Sequence, residues 1–91
     1  MPFTNVIKGP APDGSLYPCP SCGSRTFGER GVYEICEVCF WEDDGQDDHD
    51  ADVVRGGPNG RLSLTDARRN FRECGASSPE RLRRHRGLPL P

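Results

Sequence analysis

Cys19-Pro20-Ser21-Cys22-Gly23 and Cys36-Glu37-Val38-Cys39 together form a C-x2-C-x13-C-x2-C array. Two residues between thiols let a short turn aim both sulfurs at one tetrahedral ion, and a second pair at a workable distance completes a four-thiolate site. Thiolates suit a borderline-soft ion, so the pattern predicts one structural Zn2+ held by Cys19, Cys22, Cys36 and Cys39. Four ligands leave no open coordination position, which points away from catalysis at the ion. Gly23 after Cys22 lets backbone amides fold toward the sulfurs. Phe40 stands at the matching place after Cys39 and predicts a less favourable second turn. Rubredoxin-like iron is the rival metal, and dithiol redox chemistry suits one pair better than two.

The rest of the chain explains why a metal would matter. With 91 residues, 33% of them apolar, and 11 glycines and 9 prolines, this is one domain with a thin core and many loops. Such chains usually need a staple. Structural zinc, with binding free energies on the order of 10 kcal/mol, would dominate folding. No apolar signal segment follows Met1 and no stretch has membrane-spanning length. The expected location is therefore the cytoplasm, where paired thiols favour metal over disulfides.

The net charge of −2 hides a division. Residues 1–60 hold eleven acids and four bases, whereas residues 61–91 hold three acids and eight bases. Residues 1–16, rich in proline and glycine, predict a flexible arm. Residues 24–28 and 32–36 read as two short strands with a turn at Glu29-Arg30-Gly31. The fold class expected is a small metal-stabilised α+β domain over residues 17–75: a zinc ribbon, with a β-hairpin between two CxxC turns, and a docked C-terminal helix. That helix is predicted at about residues 64–74. Ser63 caps it, Asp66 sits near its positive end and Gly75 stops it. Leu64, Ala67, Phe71 and Cys74 make its apolar stripe, so Cys74 reads as a small core residue. Residues 76–91 form a basic tail, with a short helix at 79–84 behind Ser78.

Residues 42–52 carry seven acids in eleven positions and predict an exposed loop, solvated or facing a partner. Asp48-x-Asp50-x-Asp52 begins like a calcium loop, but Val53 stands where glycine is required and Asn59 where the bidentate glutamate belongs. The Gly56–Gly60 cluster lacks the lysine of a phosphate-binding loop and reads as a turn. Trp41 either covers the ribbon or stacks on a ligand. Arg81, Arg83, Arg84 and Arg86 with His85 could touch phosphates, although no aromatic residue lies beside them for base stacking.

Tyr17-Pro18-Cys19-Pro20-Ser21-Cys22-Gly23, then Tyr33-Glu34-Ile35-Cys36-Glu37-Val38-Cys39-Phe40-Trp41-Glu42-Asp43-Asp44, resemble the bacterial cysteine-rich CPCC family. The likeness continues through Gly56-Gly57-x-Asn59 and Ser63-Leu64-x-x-Ala67-Arg68-x-Asn70-Phe71. It implies a small zinc-binding bacterial protein rather than any particular activity. The family name implies a cysteine where this chain has Ser21.

Asp43, Asp44, Asn59, Arg68 and Asn70 lie inside the resembling stretch yet are not needed as zinc ligands. They read either as a network tying loop to helix or as a binding site. The leading expectation is a non-enzymatic adaptor or regulator that engages another protein, with Trp41, Asp43, Asp44, Arg68 and Asn70 at the contact. A nucleic-acid-binding ribbon using the basic tail is the second. A metal-dependent enzyme using Asp43, Asp44 and His49 is the third. No membrane partner is expected.

Overall fold

The computed structural model describes residues 4–86. Regular structure is sparse. Strands β1 (Tyr17–Pro18) and β2 (Arg25–Phe27) pair antiparallel, with Tyr17 opposite Phe27 and Pro18 opposite Arg25. Helices α1 (Leu64–Cys74) and α2 (Pro79–Arg86) close the chain, after single 3-10 turns at Asp48–Asp50 and Gly57–Asn59.

The hairpin corrects the expected topology. β1 and β2 flank the first cysteine pair instead of connecting the two pairs. Residues 32–36 form no strand. Gly31 (φ 76°) and Tyr33 (φ 66°) both take the left-handed conformation, which an extended strand cannot contain. Tyr33 N donates to Asp43 O at 2.9 Å and Asp43 N to Glu34 O at 2.9 Å, so long-range bonds override the local β preference. Ile35 keeps one isolated bridge, to Glu42. Each cysteine pair thus sits at the tip of its own small antiparallel loop.

The segment read as a flexible arm is tied down. Val6 N donates to Gly45 O at 2.8 Å, Lys8 and Arg30 exchange backbone bonds, and Tyr17 Oη donates to Gly9 O at 2.8 Å. The approach is close enough to require glycine on the other side. A Cβ at Gly45, whose φ is 92°, would lie 2.7 Å from Asn5 Cβ, and one at Gly31 would collide with Val6 O. Residues 1–3 of the expected arm and 87–91 of the expected tail lie outside the described residues.

Helix α1 forms as its sequence dictates. Ser63 Oγ accepts from Asp66 N at 3.0 Å, Asp66 Oδ2 accepts from Ser63 N at 3.3 Å, and Gly75 (φ 81°) ends the helix. Its apolar face carries Leu64 and Ala67 into a core with Phe27, Trp41 and three of the four paired cysteines, while Phe71 packs at the margin. Burying a side chain such as Leu64 stabilises the fold by about 1.5–3 kcal/mol. Few such residues exist here. α2 starts behind Ser78, whose Oγ accepts from Arg81 N at 3.0 Å, and runs two residues beyond the expected end.

The acidic loop is the largest correction. It is expected at the surface, yet Asp43, Asp44, Gln46 and Asp50 are all buried. Arg30 explains how. Its Nε donates to Asp43 Oδ2 at 2.8 Å, its Nη1 to Asp47 Oδ2 at 3.1 Å and its Nη2 to Gln46 O at 3.3 Å. Gly31 N and Gly45 N supply further donors to Asp43. Gln46 Nε2 reaches Asp50 O and Val53 O, at 3.1 and 2.7 Å. Burial pushes the Asp50 carboxyl up, but the Asp47 amide and the Arg55 guanidinium outweigh it and hold the group below its ordinary range. The loop is a polar core, stabilised by bonds to two arginines and the backbone.

Removing one partner of a buried pair strands the other charge. Asp43→Ala, which takes the buried carboxylate from Arg30 and leaves it only the half-buried Asp47, should cost about 3–5 kcal/mol in denaturant unfolding of the metal-loaded protein. A loss below 1 kcal/mol would contradict the buried-pair description.

Candidate metal centre

The two cysteine turns are built alike. In the first, Cys19 N donates to Ser24 O at 2.7 Å and Gly23 N to Cys19 O at 2.8 Å. In the second, Cys36 N donates to Trp41 O at 2.9 Å and Phe40 N to Cys36 O at 2.8 Å. The pattern needs a left-handed residue just after the second cysteine. Gly23 takes φ 84° there without strain, and Phe40 adopts φ 69° in its place. The second turn is the less favourable one, as expected: Phe40 accepts an unfavourable backbone well, costing roughly 1–3 kcal/mol, to complete the same geometry.

These turns face each other. Cys19 Sγ lies 3.7 Å from Cys39 Sγ, and Cys22 Sγ lies 3.7 Å from Cys36 Sγ. All four sulfurs fall within 4.8 Å of one another. A disulfide requires about 2 Å, so no bond joins them, and all five cysteines are free. A tetrahedron with metal–sulfur bonds of about 2.3 Å has edges of about 3.8 Å, which matches the two shortest separations. Cys19, Cys36 and Cys39 are buried and Cys22 is half-buried. The donor set therefore fits a metal ion.

Electrostatics point the same way. The three buried thiols share their protons unequally. Hydrogen bonds from Cys19 and Cys39, and from the Thr26 hydroxyl at 3.2 Å, push the Cys36 thiol down. Cys19, acting as donor to Cys36 and Cys39 and also buried, is pushed up. Cys39 is helped by Cys19, but its bond to Cys36 and its burial prevail and push it up to about 12. One charge is favoured and two are opposed. A divalent cation removes that conflict by holding every ligand as thiolate.

The helices clamp both turns from outside. Arg68 Nε on α1 donates to Pro20 O at 2.8 Å, inside the first turn. Ser77 N donates to Cys39 O at 2.7 Å and Arg81 Nη1 to Phe40 O at 2.7 Å, holding the second. Thr26 and Arg81 are contributors that sequence spacing did not reveal, since both act across the fold.

The chain carries the signature of a known group: the cysteine-rich CPCC family matches residues 17–89. The chain belongs to that family. No curated protein matches it. At the third position of the CPCC motif stands Ser21, buried, its Oγ without a hydrogen-bond partner. The four sulfurs converge without any contribution from that position.

The remaining expected site residues divide. Trp41, Asp43 and Asp44 are buried and offer no contact surface: the indole fills the core and Asp43 binds Arg30. Arg68 is half-buried between Pro20 O and Asp48. Asn70 donates to Ser77 O at 2.8 Å, linking α1 to the segment before α2. These residues form the structural network rather than one site. Among the described residues, the converging group of three or more potential ligands is the cysteine cluster, and the loop carboxylates do not join one. Cys74 lies apart, with Sγ 3.8 Å from Ala76 O.

Thiol chemistry checks this assignment. In protein loaded with one equivalent of zinc, only Cys74 should react rapidly with a thiol reagent, and all five should react after chelator is added. Four or more rapid thiols in the loaded protein would contradict the cluster.

Proposed function

We propose that this CPCC protein is a non-enzymatic zinc-binding module that acts as an adaptor or regulator by engaging another protein. The observation that carries the reading is the convergence of four sulfurs on one point. A four-thiolate ion has no vacant coordination position for substrate, which supports a structural role. Zinc is favoured over iron because it adds rigidity without redox chemistry. Free thiols throughout suit a reducing compartment such as the cytoplasm. Among the described residues no helix is long and apolar enough to cross a membrane.

The contact surface proposed differs from the one expected, because Trp41, Asp43 and Asp44 are buried. Exposed apolar side chains concentrate instead on the loop before the second cysteine pair: Val32, Tyr33 at 55% exposure and Ile35 at 50%. Ile7 adjoins them, since it lies against Gly31, and is 68% exposed. Tyr33 is also held at positive φ. An exposed aromatic fixed in a costly backbone well supports a recognition role. The nucleic-acid alternative loses one of its four arginines, because Arg81 is bound to protein carbonyls.

Two measurements test the proposal. Elemental analysis should find one zinc per chain and a colourless protein, whereas one iron with strong visible absorption would overturn the choice of metal. Tyr33→Asp with Ile35→Asp should keep that zinc but lose proteins captured by the wild-type chain from its native host. Capture unchanged by the double substitution would refute the surface.

A further inference from the structure

Arg81 is a half-buried cation whose hydrogen bonds run to neutral acceptors. Its Nη1 donates to Phe40 O at 2.7 Å and to Asn59 Oδ1 at 2.9 Å, and its Nη2 donates to Pro58 O. Arg30 and Arg55, the other arginines drawn into the fold, each hold a buried carboxylate. Arg81 makes no ion pair among the described residues. Burial pushes the Arg81 guanidinium down, and Arg84 adds to the effect, while Glu42, Cys39 and Glu80 draw it back from longer range. Carbonyl dipoles return only part of the solvation a guanidinium loses. Glu42 is the largest of these opposing charges yet makes no ion pair with Arg81, so compensation is incomplete.

The thiolate centre supplies further negative charge. Four thiolates around a divalent ion carry a net charge of −2, and in a partly dry site that charge needs an opposing one. Arg81 reaches the second cysteine turn through the carbonyl of Phe40, the residue after Cys39. We infer that Arg81 is the counter-cation of the loaded centre: it binds no metal itself, but offsets the excess negative charge of the four thiolates and so tightens metal retention. The inference rests on the four-thiolate reading above. It also makes metal binding and α2 docking reciprocal, because whatever strengthens one strengthens the other.

Arg81 could instead be a purely structural tie to three acceptors, and the test separates the two roles. Zinc affinity is measured by competition with a chromophoric chelator for wild type, Arg81→Lys, Arg81→Gln and Arg72→Gln. Lysine keeps the charge but cannot reproduce the guanidinium's bonds. Arg72 is exposed, so its loss controls for net charge alone. The inference predicts that Arg81→Gln loses roughly tenfold to hundredfold in affinity, the range for outer-shell partners. Arg81→Lys should stay within about threefold of wild type, and Arg72→Gln should match it. If Arg81→Gln does not fold, Arg81→Met serves as the neutral variant with an apolar stem.

Equal affinity in wild type and the neutral variant overturns the inference. So does an Arg81→Lys loss as large as that of the neutral variant, which would assign the effect to the carbonyl bonds. A wild-type chain that takes up no metal refutes the thiolate centre itself, a distinguishable failure.

Discussion

Convergence of four sulfurs is the constraint on which this structure depends. The two cysteine turns are far apart in sequence, and the hairpin that pairs β1 with β2 holds only one of them. The backbone pairing of the sheet does not join the turns, although the Thr26 hydroxyl on β2 donates to Cys36 Sγ. What joins them is the cluster in which Cys19 meets Cys39 and Cys22 meets Cys36 across the interface. Cysteines are also a large part of the buried apolar set, beside Phe27, Trp41, Leu64 and Ala67. A core so small gives too little hydrophobic stabilisation to offset the ordering of a glycine- and proline-rich chain. An ion bound there would convert mutually repelling thiolates into the strongest attachment in the molecule.

Arginines carry that constraint outward. Arg68 and Arg81 each donate to a backbone carbonyl of a cysteine turn, one from each helix, while Arg30 gathers the acidic loop around its guanidinium. The planar fork with several donors suits this task better than an ammonium, because one side chain can satisfy carbonyls and carboxylates from separate segments. The chain has one lysine among twelve basic residues. Loops that lack sheet hydrogen bonds thereby acquire a substitute lattice, and the surface left over includes the apolar loop proposed as a contact.

Legibility from sequence followed the range of the interactions. The cysteine spacing and the α1 capping box are local, and both could be read nearly residue by residue. The turn around Tyr33 could not, since its positive φ is imposed by a bond to Asp43 ten positions away. Seven acids in eleven residues resemble a solvated loop in any composition count, and only Arg30, thirteen residues before Asp43, reverses that reading. Phe40 shows the same effect: glycine is the residue expected at a left-handed position, and a closed cysteine turn can impose that conformation on phenylalanine at a cost. Arg81 looked like part of a charged tail because its acceptors lie in two distant loops.

Membership of the CPCC family and the sulfur geometry are compatible with metal binding, and a scaffold organised by that metal is the proposal. X-ray absorption at the zinc edge of the purified, loaded protein tests that most directly. The account predicts a single shell of four sulfur scatterers at about 2.3 Å. A shell containing nitrogen or oxygen ligands, or fewer than four sulfurs, would contradict it.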